Sequence, residues 1–213
     1  MRAPEQLGPY IYRQSDSCFP LGQDSLLLAS FATVRRGDRV WDLGCGAGAL
    51  LLLLAARESD LTLTGVELSA ADSALARENL EENKLTGTIL TGDIRALALP
   101  AGTASLVVCN PPYFKAGSGA SGGPARMEKA GLKDWCAAAG RLLKNGGRFA
   151  LVHRPERLAE LFIHMRAGGI EPKRLQLVQH GPDTPPSAVL VEGVRQGRPG
   201  LTVLPVQLID RRN

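Results

Sequence analysis

Arg39-Val40-Trp41-Asp42-Leu43-Gly44-Cys45-Gly46-Ala47-Gly48 decides the fold of this chain. Its first five residues read as a strand, with Gly37-Asp38 before it and a glycine run after it. A helix is expected next, from Ala49 to Arg57. Strand, glycine turn and helix form a nucleotide-binding arrangement, because glycines let the backbone pass close to a ligand. The pattern D-L-G-C-G-A-G lacks the G-x-G-x-x-G spacing suited to a dinucleotide pyrophosphate. No Gly-Lys-Ser/Thr follows to hold a triphosphate. A smaller adenosine cofactor fits this turn better.

Downstream, Leu61 to Val66 reads as a second strand ending at Glu67. That carboxylate falls about 20 residues past the glycines, the spacing of an acid that bonds ribose hydroxyls. A polar helix is expected from Ala70 to Asn83, then a third strand, Ile89 to Asp93, again ending in an acid. A fourth apolar run, Leu106 to Cys109, stops at Asn110-Pro111-Pro112-Tyr113-Phe114. Neither proline can donate to a strand ladder, and each pushes the residue before it into extended geometry. The backbone there is stiff and holds one amide, Asn110, in fixed relation to one ring, Tyr113. Chemistry on a planar NH2 group needs those parts: acceptors aimed at the amine and a flat surface for its carrier.

Lys115 to Gly123 has the composition of a flexible loop, placed where mobile lids occur. Lys133 to Leu143 reads as a helix closed by Asn145-Gly146-Gly147, and Arg148 to Val152 as a fifth strand. Arg157 to Ala167 is a further helix. Arg174 to Gln179, Ala188 to Val194 and Leu201 to Val206 are strand-like, the first two an antiparallel pair. Upstream, residues 1–20 look irregular apart from a short strand at Tyr10-Ile11-Tyr12. Asp24 or Ser25 is expected to cap a helix over Leu26 to Ala32. No internal repeat or domain linker is visible.

With 213 residues, 44% hydrophobic and 22% charged, the composition is that of one ordinary globular domain. The apolar stretch Ala49 to Ala56 is too short to span a bilayer, and Met1 to Glu5 has no apolar core behind it, so neither membrane span nor signal peptide is expected. Cys18, Cys45, Cys109 and Cys136 lie far apart with no C-x-x-C, so neither zinc nor a disulfide framework is expected, and a reducing cytoplasm fits. A net charge of +4 is compatible with a nucleic-acid partner. Its distribution is uneven. Lys115, Arg126, Lys129, Lys133, Arg141, Lys144, Arg148, Arg154 and Arg157 face only Glu128, Asp134 and Glu156 in the same stretch. His153, His164 and His180 read as structural or surface residues.

D-L-G-C-G-A-G, V-E-L-S, G-D-I and C-N-P-P-Y-F occur in the order and spacing of the class I S-adenosylmethionine-dependent methyltransferases, which the chain resembles over nearly its whole length. The resemblance implies a Rossmann-like, doubly wound α/β fold. Its seven-stranded sheet would be mostly parallel with a late antiparallel strand. It would form a single domain, residues 1–37 being an N-terminal lead-in and helix and 38–213 the catalytic core. N-P-P-Y narrows the resemblance to enzymes that methylate exocyclic or amide nitrogens. Phe19-Pro20-Leu21-Gly22-Gln23-Asp24-Ser25-Leu26-Leu27-Leu28-Ala29 resembles the opening segment of the bacterial tRNA (valine) adenine-N6 methyltransferases. Glu171 to Leu175 and Val189 to Glu192 resemble their C-terminal strands. Two departures bear on substrate choice: Arg126-Met127-Glu128 stands where relatives often carry Arg-His-Glu, and Pro205-Val206-Gln207-Leu208 lacks a second proline.

The resemblance also implies roles. Asp42, Gly44, Gly46 and Gly48 shape the pocket for the methionine and ribose of S-adenosylmethionine. Glu67, followed by Leu68, bonds the ribose hydroxyls. Asp93 accepts from the adenine amine, with Ile94 against the ring. Asn110, Pro111, Pro112 and Tyr113 are the catalytic set, Asn110 also counting among the cofactor-binding residues, and Tyr113 with Phe114 stacks on the target base. Apart from the resemblance, the basic cluster leads to the expectation that Lys115, Arg126 and Lys129 contact RNA, expected to be tRNA, with no metal and no membrane. Two other readings compete. Glutamine methylation of a release factor shares N-P-P-Y, but its enzymes carry a long helical domain before the glycines, where only residues 1–41 precede Asp42. A non-catalytic RNA-binding module is opposed by the intact cofactor acids and Asn110.

Overall fold

The computed structural model describes residues 2–16, 18, 21–112, 114–115, 127–128 and 130–209, with the backbone alone at 114, 115, 127 and 128. A hairpin of β1 (Glu5–Leu7) and β2 (Tyr10–Tyr12) comes first, then α1 (Gln23–Phe31). The core runs β3 (Arg39–Leu43), α2 (Ala49–Arg57), β4 (Thr62–Glu67), α3 (Ala70–Glu82), β5 (Gly87–Thr91) and β6 (Ala104–Cys109). Two short strands, β7 (Phe114–Lys115) and β8 (Met127–Glu128), pair with each other. Then come α4 (Leu132–Leu142), β9 (Leu143–His153), α5 (Leu158–Ala167), β10 (Ile170–Gln179), β11 (Ala188–Arg195), β12 (Thr202–Val203) and β13 (Gln207–Leu208).

The main sheet has the order β5-β4-β3-β6-β9-β11-β10, with β12 and β13 both on the outer edge of β10. β5, β4, β3, β6 and β9 are parallel. β11 runs antiparallel to both its neighbours. The doubly wound sheet with a late antiparallel strand is therefore as expected, with two two-residue edge strands added to the seven.

Strand order reverses between β3 and β6, so a crevice opens at their carboxyl ends, where ligands bind in such sheets. β6 shows why its sequence is continuously apolar: all six residues are buried. Leu106 and Val108 pack on the face covered by α1, α2 and α3, while Val107 and Cys109 pack with Trp135, Leu142 and Leu161 of α4 and α5 on the other. A strand covered on both faces has no solvated side to alternate toward. α4 buries Leu132, Trp135, Cys136, Ala139 and Leu142, the 3–4 residue spacing of one helix face. α3 starts at Ser69, whose hydroxyl accepts from the Asp72 N–H at 3.2 Å.

Four expectations are corrected. α1 begins at Gln23 behind Gly22, with no side-chain cap, so neither Asp24 nor Ser25 caps it. Asn145-Gly146-Gly147 does not close α4; it belongs to the irregular start of β9, where Gly146 takes φ +76°. Leu201 to Val206 is not one strand. Its segment pairs with β10 at Thr202–Val203 and again at Gln207–Leu208. Pro205, between them, has no N–H to give. Glu5–Leu7, within the stretch read as irregular, pairs with β2. No helix among the described residues is long and apolar enough to cross a membrane.

Candidate active site

Leu43 lies opposite Val66 on one side and Cys109 on the other. The next residues, Gly44, Glu67 and Asn110, therefore leave the sheet at one level, on three neighbouring strands. The glycine turn is pinned by Gly44 and Cys45, whose N–H groups both donate to the Val66 carbonyl at 2.8 and 3.1 Å. Gly44, Gly46 and Gly48 take φ of +75°, +52° and +87°, a left-handed run that side-chain-bearing residues rarely adopt. At Gly44 a side chain would also press on the Trp135 ring, 3.2 Å from a built Cβ.

Glu67 grips that turn. Its carboxylate accepts from the Gly46 N–H at 2.9 Å and from the Ser69 N–H at 2.8 Å. A carboxylate has about four acceptor positions, so two hydroxyls can join these backbone donors. Asp42 is unlike Glu67. It is 1% exposed, and neither carboxylate oxygen has a hydrogen-bond partner among the described residues. Burial, and then the charge of Glu67, pushes its pKa up to about 8. A buried, unpartnered acid beside a left-handed glycine turn fits a ligand that brings its own cation and donors, as the ammonium, sulfonium and ribose of S-adenosylmethionine would.

The sign of Asp42's effect follows. Its folded pKa lies above that of an exposed aspartate, so the native state holds the proton longer, and Asp42 lowers stability progressively as pH rises from about 4 to about 8. Asp42→Asn is expected to raise the melting temperature of the ligand-free protein at pH 8 and to weaken cofactor binding. Thermal melts with and without S-adenosylmethionine check both; a lower ligand-free melting temperature refutes the account.

Asp93 stands two residues past β5. Its carboxylate accepts from the Arg95 backbone N–H at 2.9 Å and from the Arg95 guanidinium at 2.5 to 3.1 Å. Ile94 is half-buried and packs against the core, while Leu68 is 45% exposed. Asn110 donates its side-chain N–H to Ser25 Oγ at 3.0 Å. Pro111 is buried and Pro112 half-buried. Tyr113, Arg126 and Lys129 lie outside the described residues, as do the side chains of Phe114 and Lys115. Cys45 and Cys109 flank the site, and burial raises both thiols well above their ordinary range, so neither offers a thiolate at neutral pH. Among the described residues no group of three or more His, Cys, Asp or Glu side chains could hold a metal.

Sequence reasoning missed two asparagines. Asn83 pairs with both the N–H and the carbonyl of Ile11, at 2.8 and 2.7 Å. Asn79 does the same for Arg13, at 2.9 and 2.8 Å, and also donates to the Ala47 carbonyl at 2.8 Å. Spaced i, i+4, one on α3 and the other capping its C-terminus, they act as a surrogate strand that ties the N-terminal segment to the glycine turn. The available signal was their type, since asparagine is a poor interior helix residue.

Among the described residues the basic stretch does not form one surface. Arg148 is buried in an ion pair with Asp38, and Ser105 also bonds that carboxylate. Arg141 and Lys144 line a shallow cleft of about 440 Å³ with Arg195 and Gly102, at the amino ends of the strands. Arg154 and Arg157 sit at the other end of β9, bonded to the Ser187 carbonyl and to Glu160. His153 is buried, and burial followed by the Arg157 charge lowers its pKa to about 4, as befits a structural histidine.

A reversed sheet with a glycine turn after β3, an acid after β4 and an asparagine after β6 defines a doubly wound α/β protein with an adenosine-type cofactor crevice. Residues 21–167 match the methyltransferase small domain family, and the chain belongs to it. It is 37% identical over 146 residues to the tRNA1(Val) (adenine(37)-N6)-methyltransferase of Dickeya chrysanthemi, covering 64% of this chain and 58% of that protein. Against the enzyme of the same name from Aeromonas hydrophila it is 35% identical, covering 64% and 61%. The chain thus spans about three-fifths of the length of these relatives. A solved structure from Agrobacterium tumefaciens, described as a predicted O-methyltransferase, shares the fold with a TM-score of 0.73 and 24% identity, over 90% of each chain.

Proposed function

We propose that this protein is an S-adenosylmethionine-dependent methyltransferase acting on the exocyclic N6 amine of an adenine in tRNA, near the anticodon. The observation that carries the reading is the level placement of Asn110 with Gly44 and Glu67, which sets an amide acceptor beside the cofactor crevice. The matched relatives, named for this reaction, support the choice of substrate.

The bound cofactor would supply an electrophilic methyl group. Asp42, the glycine turn and Glu67 hold its amino-acid and ribose parts, and Asp93 its adenine. An adenine amine is a poor nucleophile because its lone pair is delocalised into the ring. The Asn110 side-chain oxygen and the Pro111 carbonyl accept its two hydrogens, favouring a pyramidal nitrogen and stabilising the charge that develops there. The two prolines keep these acceptors in place, so orientation is set before reaction. No strong base is needed, because the nitrogen's proton becomes acidic once it is methylated. Tyr113 and Phe114 stack on the base, and Lys115, Arg126 and Lys129 take the RNA backbone.

Incubating the protein with bulk tRNA and methyl-labelled S-adenosylmethionine is expected to give N6-methyladenosine as the labelled nucleoside. Label in another nucleoside, or none at all, sinks the assignment.

A further inference from the structure

We propose that Ser25 is a positioning residue for Asn110: its hydroxyl bonds the side-chain amide and fixes the plane and position of the group that meets the target amine. The proposal rests on the reading above. Its geometric basis is the 3.0 Å bond from Asn110 Nδ2 to Ser25 Oγ, joining residues 85 apart in the chain.

An asparagine amide has an acceptor end and a donor end of nearly the same size. Its last torsion is broad and roughly two-fold, so both ends are sterically interchangeable. Methylation of an amine tolerates only one of them. The target NH2 donates, so it must meet the oxygen; the flipped amide would set donor against donor. A hydroxyl both accepts and donates, so Ser25 bonds whichever end faces it; what it fixes is the plane and position of the amide, within which the donating amine selects the oxygen. Ser25 supplies this anchor from the first turn of α1.

That helix is a rigid mount. Leu27, Leu28, Ala29 and Phe31 are buried in the core. The Ser25 N–H is bonded to the Gly22 carbonyl at 3.1 Å, and the helix start has no side-chain cap. A serine this close to a helix start would ordinarily serve the helix's own end; here its side chain reaches across to β6 instead. This accounts for a serine in a segment whose neighbours, Leu26 to Ala29, are otherwise plain helix residues.

Three variants test it. Ser25→Ala is expected to slow single-turnover methylation at saturating tRNA about tenfold, the loss of one orienting hydrogen bond, with cofactor affinity and melting temperature unchanged. Ser25→Thr keeps the hydroxyl and is expected to restore the rate. Added to Asn110→Ala, Ser25→Ala is expected to cost nothing more, because two residues acting through one bond are not additive. A Ser25→Ala rate within about twofold of the parent, or additive losses in the double variant, overturns the proposal. A substrate-free reading separates this from failure of the functional assignment. The Asn110 side-chain NH2 resonance, identified by its loss in Asn110→Ala, should shift and exchange faster with solvent in Ser25→Ala. An unmoved resonance overturns the positioning role, whereas a parent protein that leaves tRNA unlabelled overturns the substrate.

Discussion

Asn110→Ala is expected to lower turnover on tRNA roughly a hundred- to a thousandfold, the effect of losing one preorganised transition-state hydrogen bond worth about 3–4 kcal/mol. Alanine removes the acceptor while Pro111 and Pro112 still fix the backbone. Cofactor affinity should hardly change, because Glu67 and Asp42 stand on other strands. Asn110→Asp should fall between alanine and the parent. A carboxylate still accepts from the amine, and the Ser25 hydroxyl can turn to donate where it now accepts. Single-turnover rates at saturating RNA decide. An alanine variant within a few-fold of the parent would remove Asn110 from the mechanism and the main ground for amine chemistry.

Glu67→Ala is expected to weaken S-adenosylmethionine binding by roughly a hundredfold or more, since hydrogen bonds to a charged group are worth about 1.5–3 kcal/mol each. Two losses combine. The ribose hydroxyls lose their acceptor, and the Gly46 and Ser69 N–H groups lose theirs, so the glycine turn is no longer tied to the start of α3. Glu67→Gln should be intermediate, because an amide has one acceptor atom for these donors. Titration calorimetry measures the affinity, and circular dichroism confirms that the sheet is retained. Unchanged affinity in a folded Glu67→Ala protein would take Glu67 out of the cofactor site.

Much of the fold was legible because parallel, doubly covered strands have only one kind of sequence. β6 is an apolar run stopped by Asn-Pro-Pro, β3 and β4 mix apolar with polar residues but stop at glycine and at glutamate, and α2 begins and ends at the expected residues. Legibility failed where an element depends on a neighbour. β1 has one buried residue among three, so its pattern carries no period. The start of β9 contains Gly146 with a left-handed φ, and glycine-rich sequence reads as a turn whether or not a strand continues through it.

The site divides in the same way. The common level of the glycine turn, Glu67 and Asn110 at the strand ends, with Asp42 just before that turn, was legible in the sequence alone, because strand ends are marked by local residues and parallel strands must align those ends. Their partners were decided only by tertiary structure. Ser25 meets Asn110, and Asn79 meets Arg13 and Ala47, through register between segments far apart in the chain. Burial without a hydrogen-bond partner among the described residues sets Asp42 apart from Glu67, and no local pattern reports that difference. The basic stretch shows the physical reason most directly. Lys144 and Arg154 are close in sequence, but both belong to or flank β9, where ten residues of extended chain span roughly 30 Å. Charges clustered along a strand are thereby separated to opposite ends of the sheet, with Arg148 between them buried against Asp38.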